Sequence, residues 1–253
     1  MSAREVPDAF REVWLTASES AATPGERADP VCLVGRELRS GQSFRLCREA
    51  FWDRRTPPYS VGPTTLFVAY DSSWELAAHH ALGWPMPERV LDLSAEFRCH
   101  TAGLDHPHGA GLFGALSWKA QDTIGAIRRL SLVRMLARRG PWTEGERNTI
   151  VAGCEAKVEA LGRLLPAMAP TLDWPRALLR GRYMSAVARM EQEGVPIDVP
   201  TLQRLRHSWG ELIDHLIRDV DSRFGVFDGR RLRSDWWEAW LVRNRLAWPR
   251  HSD

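Results

Sequence analysis

The sequence predicts a mixed α/β domain: a five-stranded sheet covered by helices, with a helical extension behind it. Three observations lead there. Short β-branched and aromatic runs separated by turn residues fill the first hundred residues. From about residue 111 the apolar spacing becomes helical. The segment 199–225 then carries Leu202, Leu205, Trp209, Leu212, Leu216, Val220 and Phe224 on one helical face.

The elements follow in order. "EVWLTAS" (12–18) reads as a strand, and "VCLVGREL" and "QSFRLCRE" as two more, joined through "RSG" as a hairpin. "TLFVAY" (65–70) is a buried strand. "DSSWELAAHHALG" is a helix with Asp71 or Ser72 as its N-cap and Gly83 as its stop. "RVLDLS" (89–94) is the fifth strand, and "CHTAGLDHPHGAG" is a loop. "GLFGALSWKA" and "TIGAIRRLSLVRMLARRG" are helical, and Thr143 and Glu146 have capping-box spacing at the head of the next helix. "RALLRGRYMSAVARMEQEG" ends at Gly194, and the tail "SDWWEAWLVRNRLAWPR" is aromatic and partly helical. Two domains are expected, 1–170 for the sheet domain and 171–253 for the helical extension.

The composition, 44% hydrophobic and 26% charged, fits a globular chain of 253 residues. Its net charge of +2 singles out no polyanionic partner. Of 34 basic residues only Lys119 and Lys157 are lysines, leaving 32 arginines. A planar guanidinium suits phosphate, although a GC-rich coding sequence also yields arginine. Arg36, Arg39, Arg45, Arg48, Arg54 and Arg55 form one local basic run. Arg128, Arg129, Arg134, Arg138 and Arg139 form a second, which with Trp118 and Trp142 could track a single strand by phosphate pairing and base stacking. A solvated helix face is the alternative reading. Cys32, Cys47, Cys99 and Cys154 lack metal-ligand spacing and read as reduced thiols. A polar N-terminus and no apolar run of about 18 residues point to a cytoplasmic protein with no membrane partner. His79, His80, His100, His106 and His108 lack the frame of a zinc site.

The stretches "PVCLVGREL", "LFVAYDSSWELAAHHALGWP", "RVLDLSAEFR", "GLFGALSWKAQDTIGA" and "RRGPWTEGERNTIVAGCEAKVEALGRLLP" resemble, in order, the 3'-5' proofreading exonuclease domain of family A DNA polymerases. "RYMSAVARMEQEGVPIDVPTLQRL" resembles the passage from that domain into the polymerase domain. The resemblance covers most of the chain. It implies a ribonuclease H-like fold of the DEDD superfamily and an extension resembling the start of a polymerase thumb. No palm or fingers motif follows, so no polymerase activity is expected.

In that family two divalent cations clamp a phosphodiester between four carboxylates. The first strand supplies Asp-x-Glu, a helix supplies Asp, and the last helix supplies Asp one turn after a Tyr. The matching positions here are Ala17, Glu19, Glu75, Gly153 and Lys157. Two carboxylates survive, and a cation stands where an anion is required. Glu155 and Glu159, two residues either side of Lys157, point away from it on a helix. Lys157 is expected either to serve as counter-ion to Glu19 and Glu75 or to reach solvent from the helix edge.

The resemblance therefore implies an inactive exonuclease-like protein that binds single-stranded or 3'-end DNA, with no cofactor. One alternative is a weak exonuclease using Mg2+ or Mn2+ at Glu19 and Glu75, helped by Asp71 or Asp92. The other is an interaction module whose C-terminal helices dock on a polymerase subunit or form a homodimer.

Overall fold

The computed structural model describes residues 6–21, 26–105, 108–120 and 135–248, apart from the side chains of residues 52 and 120. They form two compact units, the first ending at Gly194 and the second beginning at Val195.

The first unit is built on a five-stranded mixed sheet in the order β3-β2-β1-β4-β5. Its strands are β1 (Glu12–Ser20), β2 (Pro30–Glu37), β3 (Ser43–Cys47), β4 (Thr65–Ala69) and β5 (Val90–Asp92). β1 runs antiparallel to β2 and parallel to β4, and β2–β3 is antiparallel. β1 is central and covered on both faces, which is why its apolar run is nearly continuous. On one face Val13, Leu15 and Ala17 meet α4 (Leu112–Ala120) and α5 (Glu144–Met168). On the other, Trp14 and Phe67 meet Phe51 of α1 (Arg48–Trp52) and Leu76 of α2 (Ser73–Leu82).

Local chemistry sets the ends of the helices. Thr143 and Glu146 close both halves of a capping box at the head of α5. α2 stops at Gly83, whose φ of 64° is left-handed. The fifth strand is shorter than expected. Asp92 ends β5 and caps α3 (Leu93–His100), accepting hydrogen bonds from the Ser94 and Ala95 amides. "LSAEFRCH" is thus a helix rather than the end of a strand and a loop, because the carboxylate satisfies two of its free amides.

The sheet unit also runs past residue 170. α6 (Trp174–Glu193) lies along β5 and α2, with Ala177 in one core and Ala188 in the other. Gly181 allows that approach, since a Cβ there would overlap the Val90 carbonyl. Arg180 on α6 grips the buried Glu96 of α3 through two hydrogen bonds of 2.5 and 2.6 Å.

The second unit contains α7 (Val199–Phe224), a small hairpin of β6 (Phe227–Asp228) and β7 (Arg231–Leu232), and α8 (Ser234–Arg243). The hairpin is absent from the sequence reading. Asp198 caps α7, and Asp221 accepts from the amides of Val226 and Phe227 at its far end. Phe224, Trp237, Trp240 and Trp248 pack ring on ring. Among the described residues no helix is long and apolar enough to cross a membrane.

Candidate active site

The parallel pairing of β1 with β4 carries their carboxyl ends to one side of the sheet. β1 continues past that pairing to Glu19, where its register with β2 shifts between Glu19 and Ser20. The first turn of α2 presents Glu75, and α5 presents Lys157 from the opposite face. Residues far apart in the chain therefore converge.

Lys157 Nζ lies 2.5 Å from Glu19 Oε1, across 138 residues of sequence. The pair is only partly buried, with side-chain exposures of 33% and 15%. Glu75 is buried, and its Oε1 accepts from the Ser18 amide at 3.0 Å and the Ser18 hydroxyl at 3.4 Å. Its Oε2 is buried without a protein partner. Burial pushes the Glu75 carboxyl up to about 8, although Lys157 and the Ser18 amide act the other way. Burial of Lys157 disfavours its charge, but Glu19, Cys154 and Glu75 outweigh that and raise its pKa.

Ala17 is buried in the core beneath α5. Gly153 is half-buried on α5, one turn before Lys157. Glu155 pairs with Arg45, and Glu159 with Arg163, so both face away from Glu19. Asp92 cannot serve as a spare ligand. Besides capping α3, it accepts from the Ser72 amide and hydroxyl at 2.7 and 2.8 Å and from the Asp71 amide at 3.3 Å. Asp71 is likewise held by the Ser73 hydroxyl.

These donors do not suit a pair of divalent cations. Hard cations need several ionised oxygens, yet one carboxylate already holds an ammonium and the other is neutral below about pH 8. Among the described residues no group of three or more His, Cys, Asp and Glu side chains could hold a metal. His79 is a core residue, its ring nitrogens 2.6 Å from the Tyr59 hydroxyl and 2.8 Å from the Pro85 carbonyl. Burial holds its pKa down near 4.

Of the expected nucleic-acid contacts, Arg128, Arg129 and Arg134 lie outside the described residues. Arg138 is ion-paired with Glu146, and Arg139 with Glu26. Trp118 is exposed on α4. Trp142 packs on the core, donates to the Met135 carbonyl, and lies under the Arg48 guanidinium at 5.9 Å. Arg48 and Arg147 join it around one pocket, a grouping the sequence did not reveal because Arg48 lies about a hundred residues before the other two.

No protein-family model matches the sequence, and no curated protein does. Solved structures do. One, described as the apo form of a nuclease, superposes with a TM-score of 0.53 at 12% identity, covering 79% of this chain and 94% of that one. NrnC from Brucella melitensis superposes at 0.50 and 11% identity, over 74% and 88%. The same protein bound to pGG gives 0.50 and 12%, over 76% and 92%. The fold is ribonuclease H-like, of the kind nucleases use. Identities this low speak for the fold alone, and they leave the link to family A polymerases to the sequence resemblance.

Proposed function

We propose that this chain is an exonuclease-fold protein that binds nucleic acid without hydrolysing it, a relative of the proofreading domain of DNA polymerase I. The observation that carries the reading is the Lys157–Glu19 ion pair. In the resembling family, position 157 would hold a metal-ligating carboxylate, and here its ammonium takes up one of the two remaining acids. Glu75, the other, is held neutral below about pH 8. In-line hydrolysis needs cations that stabilise both the attacking and the leaving oxygen, and this donor set opposes both.

Binding is supported by the pocket formed by Arg48, Trp142 and Arg147 and by the exposed Trp118. A structural relative bound to pGG is consistent with it. The expected ligand is single-stranded or 3'-end DNA, held by phosphate pairing and stacking.

The test is incubation with 3'-labelled single-stranded DNA in Mg2+ or Mn2+, alongside a binding titration across salt. Retention without nucleotide release, weakening as salt rises, is the expected result. Release that Glu19→Ala abolishes would show a working metal site and end the reading. The combined substitutions Ala17→Asp, Gly153→Tyr and Lys157→Asp should raise Mn2+ affinity measured by calorimetry.

A second reading, self-association, draws on the exposed apolar face of α7, where Leu202, Leu205, Trp209, Leu212, Leu216 and Val220 all meet solvent. Sedimentation across a concentration series tests it. A monomer throughout would dismiss it.

A further inference from the structure

Three of the four cysteines, read in the sequence as scattered thiols, meet in the fold. Cys32 on β2 and Cys47 on β3 are directly opposed partners. Cys154 on α5 packs into the same core cluster as Cys32.

The ladder fixes the geometry of the opposed pair. Hydrogen-bonded and non-hydrogen-bonded pairs alternate along antiparallel strands. The Glu37 amide donates to the Gln42 carbonyl at 2.7 Å, which makes 37 and 42 a hydrogen-bonded pair. Cys32 is five residues, an odd step, from Glu37 in the same register, so Cys32 and Cys47 form a non-hydrogen-bonded pair. Such pairs bring their Cα atoms to about 4.5 Å with the side chains close together. That lies within the roughly 4.4–6.8 Å that a disulfide spans.

Cys47 can be reached, with Cys32 buried behind it. A pocket of about 220 Å³ is lined by Cys32 and Cys47 together with Arg48, Glu49, Trp142 and Arg147. Cys47 is half-buried there, whereas Cys32 and Cys154 are fully buried. Arg48 and Arg147, which line the same pocket, are each paired with a carboxylate, Asp29 and Glu49.

We propose that Cys32 and Cys47 are an oxidisable pair, closed into a cross-strand disulfide by a low-molecular-weight disulfide such as oxidised glutathione. The Cys47 thiolate attacks one sulfur of the reagent, forming a mixed disulfide and breaking the reagent's S–S bond. The departing thiolate takes up the proton that Cys47 gave to solvent. Cys32 then attacks the Cys47 sulfur, loses its proton and expels the second reagent thiol. Two protein thiols are oxidised by two electrons, and one small disulfide is reduced to two thiols.

The experiment treats the full-length protein with oxidised glutathione at about pH 8.5. Burial, Cys32 and Glu49 raise the Cys47 pKa against the pull of Arg147, so an alkaline buffer supplies more thiolate. Free thiols are then alkylated under denaturing conditions, and peptides are mapped by mass spectrometry without reduction. The expected result is loss of two of the four free thiols, a protein about 2 Da lighter, and a peptide joining Cys32 to Cys47. Cys99→Ser should leave that outcome unchanged, and Cys47→Ser should abolish it. Survival of all four thiols, an adduct confined to the exposed Cys99, or a Cys32–Cys154 bond would each overturn the proposal.

Discussion

Replacing Glu75 with glutamine probes the electrostatics of the site most directly. The substitution keeps an oxygen for the Ser18 amide and hydroxyl to bond, while removing the proton that the acid binds and releases. The folded-state pKa of about 8 stands above the ordinary carboxyl value of 4.5. Between those two values the folded protein binds a proton that the unfolded chain has lost. The contribution of Glu75 is therefore fully present below pH 4.5 and is lost as pH rises through 8. From pH 5 to pH 8 the span is three units at about 1.4 kcal/mol each, or roughly 4 kcal/mol.

His79 runs the other way. Its folded pKa of about 4 lies below 6.5, so its contribution is lost as pH falls from 6.5 to 4. The two effects oppose each other between about pH 4.5 and 6.5, and only Glu75 still changes from there to pH 8. Comparing wild type with Glu75→Gln at each pH cancels the histidine. Urea unfolding at half-unit steps from pH 5 to pH 9 is the assay. The variant should gain on wild type by about 4 kcal/mol across the range and then level off above pH 8. Parallel stability curves would refute the claim that Glu75 is neutral in the fold.

Lys157→Met should cost about 1–3 kcal/mol in urea unfolding at pH 7, because it strands Glu19 in a partly buried site. It should also move the Glu75 stability window to higher pH, since Lys157 now helps that carboxyl ionise. Arg180→Ala leaves Glu96 buried without its cation, and chemical denaturation should register a loss of about 3 kcal/mol. Gly181→Ala drives a methyl into the Val90 carbonyl and should lower the melting temperature by several degrees, at a cost of about 2 kcal/mol. An unchanged melting temperature would mean that α6 does not sit against β5 as described.

The sequence by itself determined the order of the five sheet strands and of the long helices. Strand β4 announced itself as a buried run, α5 by its capping box, α2 by the glycine that ends it, and α7 by its spaced leucines. These are local signals, written in neighbours a few residues apart. The resemblance to the proofreading exonucleases, and not the residues alone, pointed to Ala17, Gly153 and Lys157 as unsuited to a two-cation site.

Tertiary structure decided what those residues do. Whether Lys157 reached solvent or Glu19 depended on how α5 lies across β1, which helical periodicity does not encode. Asp92 looked free to bind a cation until the fold spent both its oxygens on amides and a hydroxyl. Gly194, not residue 170, ends the sheet unit, because α6 folds back along β5. Three scattered cysteines became neighbours only once β2 and β3 paired and α5 packed over them. Charge state and thiol proximity follow from burial and from contacts across long stretches of chain, and both come into being only when the chain closes on itself.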